Sequence, residues 1–174
     1  MALAVIALGS NLGDSLGSVQ RAAGALASLL TDFSLSPLYR TVPMYVADQP
    51  AFVNAAALGE TDLGPWPLLQ ALKRLELDIG RQPRQRFGPR EIDLDLISYG
   101  CVSYRFIQAG RIVLELPHPR LAERRFVLQP LADLAPNLDL PGLGRVAGLL
   151  AATESQAASV QRIEDAALQI QGVR

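Results

Sequence analysis

The chain has 174 residues, of which 49% are hydrophobic and 19% charged; this suits one globular domain and excludes disordered, collagen-like and coiled-coil classes. Its 16 basic and 17 acidic residues give a net charge of −1, so no overall field attracts the protein to nucleic acid or to an anionic membrane. One cysteine and one histidine exclude a disulfide framework and a metal site built from several Cys or His side chains, so carboxylates would have to hold any metal ion, which favours Mg²⁺ or Mn²⁺.

The N-terminal residues predict a strand followed by a helix. Leu3 to Leu8 is a short, wholly apolar run that stops at Gly9, as is typical of a buried central strand. After the turn GSNLGD, apolar residues recur at helical spacing from Leu16 to Leu30, with Asp14 or Ser15 as the N-cap. The turn matches neither the dinucleotide-binding pattern nor the P-loop, so we interpret it mainly as a turn and a cap.

The following segment completes an order of elements that indicates a fold. Residues 33–45 are extended but irregular because they contain two prolines, and residues 52–61 predict a further strand. Pro65 begins a second amphipathic helix that ends at Gly80, and residues 92–99 predict another strand. This order predicts an α/β (α+β) fold of ferredoxin-like βαββαβ type, with an antiparallel sheet and both helices on one face.

The remainder of the chain is less regular. Val113 to Leu116 is extended, Leu121 to Leu134 is helical around a proline, and Arg145 to Ala152 predicts a short helix. Residues 154–174 carry a weak amphipathic signal, and we assign them no function. Because no repeat or low-complexity segment divides the sequence, we expect residues 1–174 to form a single domain.

The strongest chemical signal is a pair of acidic residues in the last predicted strand of the sheet. Asp93 and Asp95 lie two residues apart, so both carboxylates project from the same face while Ile92, Leu94 and Leu96 point to the other. Two carboxylates so close repel each other unless a cation lies between them. The pair therefore indicates a metal site; the alternative is a strand whose outer face is merely solvated.

The loop before this strand is rich in arginine. Arg81, Arg84, Arg86 and Arg90 fall within ten residues, and residues 80–90 also include two glycines and two prolines. The planar guanidinium group binds phosphate oxygens in pairs, and a loop of this composition can fold over a ligand. Arginines directly before an acidic pair favour a polyphosphate bridged to the protein by divalent cations, whereas a solvated basic loop is the alternative.

Two smaller features suggest further parts of a binding site. Phe52 and Asn54 share one face of a strand, where a ring beside an amide could hold a flat heterocycle; a core Phe beside a turn Asn is the alternative. His118 lies between two prolines and is followed by a second basic cluster that includes Arg124 and Arg125. A buried, hydrogen-bonded structural histidine is the alternative there.

Five ordered segments carry a family resemblance. They are ALGSNLGD, SPLYRTVPM, DQPAFVNAA, GRQPRQRFGPREIDLDL and LPHPRLAERRFVLQPL. Together they resemble the 6-hydroxymethyl-7,8-dihydropterin pyrophosphokinase family over roughly residues 5–137, and FGPREIDLDL is highly specific. The resemblance implies an elaborated ferredoxin-like sandwich, consistent with the predicted order of elements.

The resemblance also implies a reaction and a set of site residues. Pyrophosphate would pass from ATP to the hydroxymethyl group of the pterin, releasing AMP, in folate biosynthesis. Asp93 and Asp95 would hold two Mg²⁺ ions and form the catalytic set together with Arg81 and Arg90. Positions that match the family's pterin pocket are Thr41, Met44, Phe52, Asn54 and Phe126. Positions that match its ATP site are Glu76, Arg81, Arg90, His118 and Arg124.

A mobile lid is a further implication of the resemblance. The loop from Arg81 to Phe87 corresponds to the lid that closes over both substrates, and it includes Arg84 and Arg86. This chain departs from the family at Phe87, where tryptophan is usual, and at Pro83, where arginine is common. We expect retained activity with altered ATP affinity or lid movement, since neither change touches the acidic pair.

Other interpretations stay open. A paralogue acting on a related pterin would share every feature above. A regulatory ligand-binding domain leaves the acidic pair and the arginines unexplained, and an RNA-binding module would need alternating aromatic residues that the sequence lacks. We therefore expect ATP and a pterin as partners, with no nucleic acid and no membrane, and a monomer. A cytoplasmic location is expected, because no targeting signal or long apolar run is visible.

Overall fold

The computed structural model describes residues 1–44, 48–83 and 88–164. The strands are β1 (Ala2–Ser10), β2 (Thr31–Leu35), β3 (Tyr39–Thr41), β4 (Phe52–Thr61), β5 (Asp93–Tyr99), β6 (Tyr104–Gln108), β7 (Arg111–Leu116), β8 (Asp139–Leu140), β9 (Gly144–Arg145) and β10 (Val160–Arg162). The α-helices are α1 (Ser15–Leu29), α2 (Pro65–Ile79), α3 (Arg125–Leu134) and α4 (Val146–Ala152). Leu121–Glu123 and Glu154–Ser159 form 3₁₀ helices.

An antiparallel sheet forms the centre of the molecule. Its strand order is β10-β3-β4-β1-β5, and β2 pairs with β4 as well. β1 and β4 pair along their whole length, from Ala2 opposite Thr61 to Ser10 opposite Val53, and β5 pairs with the other side of β1. If β2 and β3 are taken as one interrupted strand, this is the ferredoxin-like order. The predicted fold class is confirmed.

Each face of the sheet packs against its own pair of helices. On one face, α1 and α2 bury a core that includes Leu26, Leu72 and Leu94. On the other, α3 and α4 bury a second cluster that includes Val5 and Leu128. Full burial of each such side chain stabilises the fold by ~1.5–3 kcal/mol relative to exposure. The two N-terminal helices thus share one face as predicted, and α3 and α4 make the fold a three-layer sandwich.

The ends of α1 and α2 follow local sequence signals. Asp14 is the N-cap of α1, and its Oδ1 accepts a hydrogen bond from the backbone N–H of Gly17 at 2.9 Å. Pro65 opens α2 where the missing N–H costs nothing, and Gly80 ends the helix in the left-handed region with φ of 111°. These signals direct the chain from α2 towards the arginine-containing loop.

The irregular segment over residues 33–45 is resolved into β2 and β3, with Pro37 between them. Pro37 has no backbone N–H to donate to a neighbouring strand. At the interruption, the backbone N–H of Ser36 donates to Ala56 O, and its hydroxyl accepts from the N–H of Ala56, both at 2.9 Å. The interruption therefore keeps the backbone of β4 hydrogen-bonded.

Three strand pairings were not predicted, one of which is the short pair of β8 and β9. β6 and β7 form a two-stranded hairpin outside the main sheet, of which the sequence indicated only residues 113–116. β10 adds a three-residue strand to β3, with Val160 opposite Thr41, in the segment that we left unassigned. Within the described ranges, every helix is too short or too polar to cross a membrane.

Candidate active site

A cleft opens beside the strands β1, β4 and β5, on the face that carries α3. Its volume is about 790 Å³, including the open mouth. The lining residues are Ala7, Leu8, Gly9, Thr41, Val42, Met44, Gln49, Phe52, Asn54, Arg90, Asp93, Asp95, Arg124, Phe126 and Val127. Nine of these are predicted site residues, which the fold brings together from four separate stretches of the chain.

The acidic pair has the orientation predicted from its spacing. Asp93 and Asp95 line the cleft, whereas Leu94 and Leu96, which alternate with them, are buried in the core on the opposite face of the sheet. β5 is the outermost strand on this side of the sheet, so only β1 pairs with it. The carboxylates therefore project into the cleft from a rigid strand.

Two arginines hold Asp93 from either side of the loop. Arg81 NH1 lies 2.6 Å from Asp93 Oδ1, and Arg90 NH1 lies 2.5 Å from Asp93 Oδ2. Burial opposes ionisation of Asp93, but the charges of Lys73, Arg90 and Arg81 outweigh it, and the pKa of Asp93 falls below its ordinary value. Asp93 is thus an ionised carboxylate with both oxygens engaged.

Glu76 supports this arrangement from α2. Its carboxylate is buried, with only 3% of the side chain exposed, and it contacts Arg81 NH1, Lys73 Nζ and the backbone N–H of Leu94. Burial raises the pKa of Glu76, against the lowering influence of Lys73 and of the Leu94 N–H. Because all three contacts donate to its oxygens, Glu76 acts here as the ionised acceptor. It does not line the cleft; it fixes Arg81, which holds Asp93.

Asp95 has a different environment from its neighbour. Lys73 Nζ lies 3.7 Å from Asp95 Oδ1. Burial and the adjacent charge of Asp93 raise the pKa of Asp95, against the lowering influence of Lys73, His118 and Arg124. The two carboxylates thus differ: nearby cations favour the charged form of Asp93, whereas burial and Asp93 disfavour the charged form of Asp95.

The chemistry of these donors fits Mg²⁺. Within the described residues, no group of three His, Cys, Asp or Glu side chains could hold a metal ion alone. Mg²⁺ typically binds one or two carboxylates and completes its shell with water and substrate phosphates. Two aspartates that line an open cleft supply the protein's share of such a site.

The apolar part of the cleft carries two aromatic rings and an amide. Phe52 at the start of β4 and Phe126 on α3 both line it. Asn54 Nδ2 donates to Thr41 Oγ1 at 2.6 Å, which orients the buried amide. A Cβ atom at Gly9 would lie 2.8 Å from Asn54 Oδ1, so the glycine that ends the apolar run of β1 leaves room for that amide. The predicted pterin-pocket residues therefore lie around one space.

Arg124 and His118 add donors near the acidic pair. The guanidinium carbon of Arg124 lies 5.7 Å from the centre of the Phe126 ring, over its face. His118 Nδ1 accepts the backbone N–H of Arg120 at 3.1 Å, so the neutral ring carries its proton on Nε2. Burial and the charge of Arg124 lower the pKa of His118. The charges of Asp95 and Arg124 influence the pKa of His118, but His118 does not line the cleft.

Asn11 is a site residue that the sequence analysis interpreted only as part of a turn. Its Nδ2 donates to Gln49 Oε1 at 3.1 Å and to Pro50 O at 3.0 Å. Its Oδ1 accepts the N–H of Arg90 at 3.0 Å, and its own N–H donates to Arg90 O at 3.1 Å. One buried side chain therefore connects the segment before Phe52 to the segment before Asp93.

Lys73 was also missed, although it is the only lysine in the sequence. Its position on α2 gave no indication that the side chain reaches β5. The predicted lid residues Arg84, Arg86 and Phe87 lie outside the described residues. Pro83, one of the two departures from the family pattern, lies at the last described position before them.

Comparisons with known proteins show the family to which this chain belongs. The family model described as 7,8-dihydro-6-hydroxymethylpterin-pyrophosphokinase matches residues 5–136. The chain is 43% identical over 149 residues to a 2-amino-4-hydroxy-6-hydroxymethyldihydropteridine pyrophosphokinase of Pseudomonas aeruginosa, covering 84% of this chain and 89% of that protein. It is 46% identical over 131 residues to a mitochondrial folate synthesis bifunctional protein of Pisum sativum, covering 75% of this chain but only 24% of that protein.

The fold is also found among solved structures. The HPPK-DHPS protein of Plasmodium falciparum, solved with pteroate, superposes with a TM-score of 0.71 at 15% identity, covering 93% of this chain and 46% of that one. At this identity the likeness concerns the fold. The chain thus corresponds to one part of the longer plant and Plasmodium proteins and to nearly all of the Pseudomonas protein.

Proposed function

Because this chain belongs to the 7,8-dihydro-6-hydroxymethylpterin-pyrophosphokinase family, we propose that it transfers pyrophosphate from ATP to the hydroxymethyl group of 6-hydroxymethyl-7,8-dihydropterin and releases AMP. The observation that carries the proposal is the placement of Asp93 and Asp95 in one cleft with Phe52, Phe126 and Asn54. Carboxylates suited to a metal–phosphate complex and rings suited to a flat heterocycle are what this transfer requires. The product would enter folate synthesis, the process in the names of the plant relatives.

The pterin would bind in the apolar part of the cleft. Phe52 and Phe126 would contact the faces of the heterocycle, where offset stacking adds to the burial of apolar surface. Asn54, oriented by Thr41, would hydrogen-bond its edge, and backbone groups near Met44 would close the pocket. A site that bonds a polar edge rejects ligands lacking the matching groups, because its buried donors and acceptors would then be unpaired.

The triphosphate would bind beside the acidic pair. Each of Arg81 and Arg90 uses its NH1 group on Asp93, and a guanidinium group has five N–H donors, so both can hold a phosphate oxygen while keeping Asp93 in place. Arg124 and the Nε2–H of His118 would add donors. Glu76 fixes Arg81 and would act on the nucleotide through it.

Asp93 and Asp95 would hold the Mg²⁺ ions, two of which we propose for this site. When bound, Mg²⁺ would offset the negative charge of the triphosphate. Asp93 keeps its charge and its place through its two arginines, and Asp95 supplies the oxygen whose charge is least compensated by the protein.

The reaction needs alignment more than a reactive side chain. The hydroxymethyl oxygen attacks the β-phosphorus of ATP, the bond from that phosphorus to the α-phosphate bridging oxygen breaks, and AMP leaves. Holding two substrates in line contributes up to about 7–11 kcal/mol in well-oriented cases. The arginines stabilise charge that moves onto the leaving AMP. No protein nucleophile takes part.

AMP formation tests the proposal directly. The chain is incubated with ATP and Mg²⁺, with and without 6-hydroxymethyl-7,8-dihydropterin, and nucleotides are separated by chromatography. We expect AMP only when both the pterin and Mg²⁺ are present. ADP in place of AMP would contradict the proposed chemistry. AMP with a related pterin but none with this one would identify the chain as the paralogue considered above.

The proposal extends to the partners, the oligomeric state and the location of the protein. We propose ATP and the pterin as small-molecule partners, and a monomer that needs neither nucleic acid nor membrane. A cytoplasmic location stays a prediction, and the plant relatives are named mitochondrial. The single domain over residues 1–174 also stays a prediction, because residues 165–174 lie outside the described ranges.

A further inference from the structure

The only lysine of the chain reaches the acidic pair around the edge of the sheet. Lys73 lies on α2, and its Nζ donates to Glu76 Oε1 at 2.7 Å and to the backbone O of Leu94 at 2.8 Å. The same nitrogen lies 3.7 Å from Asp95 Oδ1. Two of these partners, a buried carboxylate and a strand carbonyl, are fixed, so the ammonium group is anchored beside Asp95.

The cations in closest contact differ between the two aspartates. Asp93 has Arg81 and Arg90 on its two oxygens, at 2.6 and 2.5 Å. Lys73 Nζ lies at ion-pair distance from Asp95, and the charges of His118 and Arg124 also act on this carboxylate. Lys73 therefore supplies a cation to Asp95, as Arg81 and Arg90 do to Asp93.

We propose that Lys73 is an internal counterion of Asp95 that competes with divalent metal ions, so that it sets the metal concentration at which the site fills. The inference rests on the proposed role of Asp95 as a metal ligand. Lys73 acts through Asp95 and is thus a positioning residue. Asp95 lines the cleft, so an ion can approach it from there, while the ammonium group anchored beside Asp95 repels that ion.

The direction of the effect follows from charge alone. The substitution Lys73→Gln keeps an N–H donor for Glu76 and for the Leu94 carbonyl, but it removes one positive charge next to the proposed metal position. A unit charge repels a divalent ion a few ångströms away with an energy well above RT, even at the high effective dielectric of a protein surface. We expect Lys73→Gln to bind a divalent ion roughly tenfold more tightly, which corresponds to about 1.4 kcal/mol.

Manganese binding to the full chain without nucleotide tests the inference. Free Mn²⁺ is measured by electron paramagnetic resonance during titration of wild type, Lys73→Gln, Lys73→Arg and Arg74→Gln. Arg74 is exposed on the same helix. Arg74→Gln removes one positive charge, as Lys73→Gln does, but from a residue that is not paired with Asp95, so it is the matched control. We expect tighter binding for Lys73→Gln, and wild-type affinity for Lys73→Arg and Arg74→Gln.

The sign of the change separates electrostatics from damage. A disturbed fold would weaken binding, whereas loss of a counterion strengthens it. Adding Asp95→Asn to Lys73→Gln should remove the gain, because the effect acts through Asp95. Equal or weaker Mn²⁺ binding by Lys73→Gln, including no detectable binding by either protein, would overturn the inference.

The AMP assay keeps this inference separate from the proposed function. If wild type forms AMP with the pterin but Lys73→Gln does not bind Mn²⁺ more tightly, the counterion role fails alone. If Lys73→Gln binds more tightly while wild type forms no AMP, the counterion role stands and the proposed reaction fails.

Discussion

The backbone N–H of Leu94 donates a hydrogen bond to Oε1 of Glu76 at 2.6 Å, so a helix side chain closes the free edge of β5. The carbonyl of the same residue accepts from Lys73 Nζ at 2.8 Å. An exposed strand edge invites pairing with another chain, and two side chains of α2 satisfy the groups that would do so. The same contacts hold the strand that carries the acidic pair. Stability and site geometry therefore depend on one buried carboxylate.

Replacing Glu76 with glutamine should destabilise the protein. Three donors point at the two oxygens of Glu76, and a glutamine offers one oxygen and an NH₂ group that would face an N–H donor. A buried donor without a partner costs about 1–3 kcal/mol. Urea unfolding should show a loss of this size for Glu76→Gln. Asp78→Asn, at an exposed position of the same helix, is the control and should leave stability unchanged. Equal stability of the two variants would contradict the role of Glu76.

Tyr39 should make the protein less stable above pH 10. Burial, together with a hydrogen bond to Asp133 Oδ2 at 2.5 Å, raises the pKa of Tyr39 from 10.0 to about 12. Above pH 10 the unfolded chain loses this proton while the folded chain keeps it, so the stability that Tyr39 contributes is lost as pH rises towards 12. A rise of one pH unit in this window lowers this contribution by about 1.4 kcal/mol.

Tyr39→Phe isolates this contribution. At pH 8 the variant should be less stable by about 0.5–1.5 kcal/mol, because the hydrogen bond from β3 to α3 is lost. By pH 11 the difference between wild type and variant should shrink by about 1.4 kcal/mol. Urea unfolding at both pH values measures it. A difference that is independent of pH would mean that the phenol titrates alike in both states.

Asp95→Asn should separate activity from stability. Loss of a charged ligand should lower AMP formation at least roughly a hundredfold, or about 2.7 kcal/mol in the barrier. Because burial and Asp93 disfavour the charge of Asp95, removing it should leave the free energy of unfolding unchanged or raise it. Asp139→Asn, an exposed control, should change neither quantity. AMP formation by Asp95→Asn within about tenfold of wild type would contradict the metal assignment.

Local sequence patterns predicted the features of the fold and the site that depend on residues close together in the chain. The shared face of Asp93 and Asp95 follows from the period of a strand, and the ends of α2 follow from Pro65 and Gly80. The strand order followed from the order of elements along the chain. These features need no knowledge of distant partners, and the structure agrees with them.

What was missed depends on contacts between distant parts of the chain. Asn11 meets Gln49 and Arg90, which lie 38 and 79 residues away, so no local pattern distinguishes it from a turn residue. β10 is too short to show a period and becomes a strand only by pairing with β3. Lys73 resembles any polar residue on a helix until α2 is placed against the edge of β5.

Asn11 should connect the two halves of the site. Asn11→Asp keeps the shape and the oxygen that accepts from Arg90, but it replaces the NH₂ donor by an oxygen facing Gln49 Oε1 and Pro50 O. Loss of those bonds in a residue only 2% exposed should cost about 1–3 kcal/mol of unfolding free energy. Because Pro50 lies two residues before Phe52, the KM for the pterin should rise more than the KM for ATP.

The matched control is Asn137→Asp, which introduces the same charge at an exposed position. It should change neither the unfolding free energy nor either KM. Steady-state kinetics with each substrate varied in turn measures the two constants. If Asn11→Asp raised both KM values equally, the substitution would act on the whole site, and the proposed connection between Asn11 and the pterin pocket would be wrong. A rise confined to the pterin would place the effect on the segment that leads into β4, where Asn11 makes its two donor contacts.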